Sequence, residues 1–295
     1  MNRSKRFPTW PRVQRLAPQG APLESRERAL LWLLAAFVLV ACFGPVVPDP
    51  TAVAGAHFAD ARDWQGLPFA MDVASNLPFA LFGLWGLWRL RRFDTLHERL
   101  SSAAALDCAW LFFAGLIFTA AGSVFYRLQP DALRLAADRA GMAIAFAGML
   151  GLAVCERVSL RAGWPAACVA FAGGLAAVAV YHERGDVLPW AVVQFGGMAL
   201  VLGLALLRPV PGAMGLKLGA VIFFYGAAKL LELGDHWIFE ATGEVVSGHT
   251  LKHLVAACAA WPVLQAIDGL TSRALRHNPR AAALTARGAP TGTFE

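Results

Sequence analysis

The chain has 295 residues, of which 57% are hydrophobic and 16% charged, and its mean hydropathy is +0.52. A water-soluble domain needs more polar surface than that composition supplies, so the chain reads as a membrane protein. Its net charge of +6 sits on arginines and lysines that flank apolar runs, where they face anionic lipid. No folded basic surface is indicated, which leaves no role for a nucleic-acid partner.

Residues 1–28 form a basic, proline-containing tail. The first apolar run, about 29–47, is followed by "AVAGA", but the long segment ahead of it is unlike that of a signal peptide, so the run is predicted as a transmembrane helix. Seven more runs follow at about 70–90, 103–123, 135–155, 163–181, 187–207, 216–233 and 249–268. Backbone amides in lipid must pair within their own segment, so every run is predicted helical. The fold class is therefore all-α: a polytopic membrane helix bundle, with a seven-helix core over 57–268 and one extra helix before it. Residues 277–295 are expected to form a second mobile tail. All five cysteines fall inside apolar runs, where they act as small apolar residues, and no disulfide or cysteine-based metal site is expected.

Positive residues mark alternate connections. They lie in the leading tail, at Arg89, Arg91, Arg92 and Arg99, at Arg157 and Arg161, at Arg208 and Lys217, and at Arg273, Arg276 and Arg280. Eight spans with both termini cytoplasmic fit this distribution, with Arg127, Arg134 and Arg139 as exceptions on the outer side. No inverted pair of broken helices stands out, which disfavours a transporter.

Polar residues that can do chemistry gather at the outer, periplasmic ends of these runs. Asp60, Asp63, Asp72, Ser75 and Asn76 lie before or at the start of the second run, Ser123 closes the third, and Asp138 opens the fourth. His182 closes the fifth, Lys229, Glu232, Asp235 and His236 close the seventh, and His249 and His253 open the eighth. Ionisable residues in spans mark either a site facing the bundle interior or a helix end in the headgroup region.

In "SGHTLKHL", Ser247 and Gly248 suit a helix start, and His249 and His253 lie about 40° apart on one face. Two imidazoles at that spacing either bind one metal ion or are interfacial groups satisfied by water and backbone. A catalytic zinc needs a third protein ligand from elsewhere. On the seventh run, Lys229 and Glu232 are within reach of each other as an ion pair. Alternatively, Glu232 or His236 orients a zinc-ligating imidazole through a hydrogen bond.

"HFADARDWQGLPFAMDVASNLPFALFGLWGL", "AGSVFYRLQPDALRLAADRAGM" and "VVSGHTLKHL" resemble the bacterial branch of the alkaline ceramidase family, over about 57–261. The resemblance implies a seven-helix, hydrolase-like core with a zinc site at one membrane face, cleaving the amide of a ceramide-type lipid. It matches Ser123 to the family's serine, Asp138 to its aspartate, and His249 and His253 to two zinc ligands. In such an enzyme zinc activates water, Asp138 serves as base and proton carrier, and Ser123 hydrogen-bonds the oxyanion. No protein partner is implied.

One position departs from the family pattern: Arg127 stands where the third zinc ligand belongs. A guanidinium has no lone pair to offer a metal. Three readings follow. Asp138, His182, His236 or His57 completes the zinc site; or Arg127 pairs with Asp138 in a protein that binds lipid without hydrolysing it; or two histidines and water hold the metal weakly. The family also carries a calcium site near its first core helix. Asp60, Asp63 and Asp72 supply carboxylates of the type calcium takes, or they cap the helix and solvate the loop.

Overall fold

The structure, a computed structural model, describes residues 22–49, 58–97 and 103–277. His57, most of the leading tail and nearly all of the trailing one lie outside them.

Helix ends are set by local chemistry. Helix α1 (Ser25–Phe43) opens on a capping box between Glu24 and Glu27 and stops at Gly44, just before Pro45. Helices α2 (Ala70–Ala74) and α3 (Leu77–His97) follow, then α4 (Ala103–Leu128), α5 (Ala132–Arg157) and α6 (Leu160–Arg184). Asp131 caps α5 by accepting from the Arg134 amide at 2.8 Å, and Ser159 caps α6 by accepting from Ala162 at 3.1 Å. Helix α6 ends on Gly185, whose φ of 66° is the left-handed geometry glycine tolerates best. After it come α7 (Leu188–Ala205), α8 (Leu218–Leu233), α9 (Asp235–Ala241), α10 (Gly248–Ala257) and α11 (Trp261–His277).

Helices α4, α5, α6, α7 and the α10–α11 pair are long and apolar enough to cross a membrane, and the fold is a polytopic helical membrane bundle. The other expected spans are α1, α3 and α8. Helix α1 carries three charges in its first turn, α3 carries Arg89, Arg91 and Arg92, and α8 has 16 residues.

The centre of the bundle is the α4–α5 pair. A Cβ at Gly115, Gly122, Gly141 or Gly148 would fall 2.3 to 2.7 Å from backbone atoms of the facing helix, so these glycines let the two backbones nearly touch. That fixes the end of α4, with Ser123 and Arg127, beside the start of α5, with Asp138. We call this the polar end of the bundle.

Two expected single helices are broken. The run at 70–90 divides at Ser75 and Asn76, because the Ser75 hydroxyl and the Asn76 amide both donate to the Asp72 carbonyl at 2.8 Å. The run at 249–268 passes through a 3₁₀ turn at Cys258–Ala260, since Pro262 has no amide proton to donate there. Within α7, residues Val192–Gly196 form a π-turn.

Helix α1 lies against α6 and α7, packs on the core through Leu30, Leu34 and Phe37, and is tied at its ends by hydrogen bonds. At one, Glu27 accepts from Arg161 and Ser159, and Arg26 donates to the Arg157 carbonyl at 2.7 Å. Past the other, Val187 donates to the Val47 carbonyl at 2.8 Å, and the Tyr181 hydroxyl donates to Asp49 at 2.6 Å. No residue from 31 to 48 is fully buried.

Candidate functional site

Ser247 starts α10 by accepting from the Thr250 amide at 3.0 Å. Gly248 makes the start possible, because a Cβ there would sit 2.2 Å from the Leu231 carbonyl oxygen of α8. This close approach lets Asp235, at the head of α9, accept from the His249 amide at 2.7 Å and from the Ala59 amide at 3.3 Å. One carboxylate thus ties the imidazole-bearing helix to the loop at 58–69.

His249 and His253 meet edge to face, with ring centroids 4.7 Å apart. The Nδ1 of His253 lies 2.8 Å from the Ser75 hydroxyl oxygen. That hydroxyl already donates its proton to the Asp72 carbonyl, so Nδ1 is the donor and Nε2 keeps its lone pair. The Nε2 of His249 is not free in this sense: Nη2 of Arg127 is in hydrogen-bond contact with it. The lone pair that a metal would need receives a guanidinium proton.

Arg127 is 2% exposed and pairs with Asp72, 1% exposed, across 3.3 Å. Phe58 covers the guanidinium from 3.6 Å, a contact that stabilises a desolvated cation. The other oxygen of Asp72 accepts from the Thr250 hydroxyl at 2.9 Å. Nε and Nη1 of Arg127 are buried without partners. The expected Arg127–Asp138 pair is therefore corrected: among the described residues the carboxylate within ion-pair distance is Asp72, which the break between α2 and α3 turns toward α4 and α10. Asp138 has Arg127, Arg139 and Lys252 as charged neighbours, but no hydrogen bond or ion pair ties its carboxylate to another described residue.

These groups close one end of a cavity of about 1090 Å³. Ser123, Arg127, Asp138, His249, His253, Glu232 and His236 all line it, and Phe112, Met149, Leu150, Leu200 and Val221 line its apolar depth. Leu34, Phe37 and Ala41 supply a wall from α1. Glu232 is shared by Lys229 and Lys252, each at 2.5 Å, so both of its oxygens hold lysine ammonium groups rather than an imidazole. His182 is exposed at the end of α6 and is not part of the cavity wall.

The three aspartates proposed for calcium do not converge. Asp60 is buried against Arg62, which donates to it at 2.6 and 2.8 Å and holds its carboxyl below the usual carboxylate range. Asp63 is exposed, and Asp72 is taken by Arg127 and Thr250. Among the described residues no group of three His, Cys, Asp or Glu side chains is placed to hold a metal ion.

Reasoning from sequence missed Lys252 and Thr250, although both stand inside "SGHTLKHL", and gave no role at the site to Phe58, Ser75 or Asp235. Only the i+3 spacing of Lys252 from His249 could have pointed to a shared cavity wall. No protein-family model, curated protein or solved structure matches the chain, so the functional reading rests on these residues and their geometry.

Proposed function

We propose that this protein binds an amphiphilic amide lipid, of the ceramide type, without hydrolysing it. The observation that carries this reading is Arg127, whose guanidinium donates to the His249 Nε2 and pairs with Asp72. The residues present do not fit a zinc ion: of the two family imidazoles one is engaged by a cation, and a third ligand is replaced by that cation. The same cluster suits an amide. Arg127 has buried N–H groups in need of an oxygen acceptor, and the untied carboxylate of Asp138 accepts from an amide N–H. The apolar depth of the cavity takes the chains.

The positive residues orient the polar end toward the periplasm, in a bundle of eight spanning helices with cytoplasmic termini. The test is metal analysis of the purified protein alongside binding of an N-acyl amide. Saturable binding with no stoichiometric zinc is the expected result. A zinc ion per chain, lost together with binding on chelation, overturns it.

A zinc-dependent amidase is the second reading. Its support is that Ser123, Asp138, His249 and His253 line one cavity, with the Asp138 carboxylate available to it. Release of fatty acid from a ceramide-type substrate by the purified chain would establish it over the first.

A further inference from the structure

The cavity wall is not uniformly apolar below its polar end. Tyr225 of α8 lines it, and the Tyr225 hydroxyl is buried with no hydrogen-bond partner. Gln194 lines the same cavity from the π-turn of α7, and its amide stands beside that hydroxyl without closing a hydrogen bond to it. Phe146 of α5 meets the Tyr225 ring edge to face, with centroids 6.0 Å apart, and holds it in place.

Two local costs therefore coincide. A buried hydroxyl without a partner forfeits its hydration. The π-turn gives up regular helical pairing, and such turns gather at functional sites. A phenylalanine at 225 and a plain α-helix at 192–196 would avoid both. A ligand oxygen at this level of the cavity would satisfy the hydroxyl and the amide together.

The level follows from helix geometry. Tyr225 precedes Glu232 by seven residues, or about 10 Å along α8. Glu232 binds Lys252, which lies between His249 and His253, so the distance is measured from the polar end. The hydrocarbon of one leaflet is about 15 Å deep, which places Tyr225 and Gln194 about two-thirds of the way down it, near the middle of a long extended chain.

We propose that Tyr225 and Gln194 form a second polar subsite that recognises an oxygen carried part-way along the ligand's chain, so that the preferred ligand is a mid-chain hydroxylated amide. A hydroxyl both donates and accepts, which matches a phenol beside a carboxamide. The inference rests on the lipid-binding reading above and adds the class of chain to it.

The test uses the full chain in detergent micelles with two probes, N-octadecanoylethanolamine and its mid-chain hydroxylated counterpart. The hydroxylated probe is expected to bind about tenfold more tightly, the factor one well-made hydrogen bond supplies. Tyr225→Phe brings that ratio to unity, and Gln194→Leu lowers it. Tyr225→Phe also melts no lower than the natural protein, because it removes an unsatisfied group, so loss of the ratio is not loss of fold. Equal binding of the two probes to the natural protein, or a ratio that survives Tyr225→Phe, overturns the subsite while leaving the lipid-binding reading intact. If neither probe binds the natural protein, the lipid-binding reading fails and the subsite with it.

Discussion

Arg127→His is the substitution that discriminates most sharply between a cation and a metal at the polar end. It removes a guanidinium that is 2% exposed and leaves Asp72, at 1% exposed, without its charged partner. Breaking a buried ion pair from one side costs about 3 to 5 kcal/mol. Thr250 still donates to the other Asp72 oxygen, which places the cost near the lower figure, about 3 kcal/mol. At roughly 2 to 4 °C per kcal/mol for a chain of this order, the melting temperature in detergent falls by about 6 to 12 °C. The new imidazole joins His249 and His253, and zinc becomes a stabilising ligand. At a hundredfold excess over its dissociation constant, zinc returns about 2.7 kcal/mol, most of the loss. The assay is a thermal melt with zinc and with chelator, with Arg127→Gln as a control that loses stability and does not regain it. The reasoning is refuted if Arg127→His melts with the natural protein in chelator, or if zinc protects the natural protein as strongly as the variant.

Three further outcomes follow from the surrounding geometry. Asp235→Ala removes the acceptor for the His249 and Ala59 amides and should cost about 1 to 3 kcal/mol, with faster proteolysis of the 58–69 loop as the local readout. Gly248→Ala should be destabilising by about 1 to 3 kcal/mol, read from a melt, because its methyl would overlap the Leu231 carbonyl and push α10 away from α8. Asp60 has a folded-state pKa held below its ordinary value by Arg62, so the contact stabilises the loop above the ordinary carboxylate pKa of about 4 and is lost as pH falls through the lowered one. The protection of amides in residues 58–69 relative to their intrinsic exchange rate should therefore fall on acidification, and Asp60→Asn should abolish that step.

Helix type and approximate position were legible because lipid leaves the backbone few alternatives. What the apolar runs could not reveal was where polar side chains compete with the helix. Ser75 and Asn76 read as the opening of a span, yet their bonds to the Asp72 carbonyl break it and turn Asp72 toward Arg127. The nearer acid in sequence, Asp138, invited the wrong pairing, since the chain between Asp72 and Arg127 folds back through two helices before they meet. Glu232 shows the same limit: its neighbour Lys229 was visible at helical spacing, whereas Lys252 reaches it from another helix. The placement of Ser123 beside Asp138 was more accessible, because a short turn and a run of facing glycines join α4 to α5.

Helix α1 bears on how the cavity can change its shape. Polar contacts at Glu27, Val47 and Asp49 fasten it at both extremities, while Leu34, Phe37 and Ala41 supply cavity wall between them without being fully buried. The polar fastenings are thus separate from the cavity wall, while Leu34 and Phe37 both line the cavity and pack on the core. Substitutions along the middle of α1 can reshape the cavity while the polar fastenings stay intact. The helix is a panel whose inner face shapes the cavity and whose ends are tied to the frame.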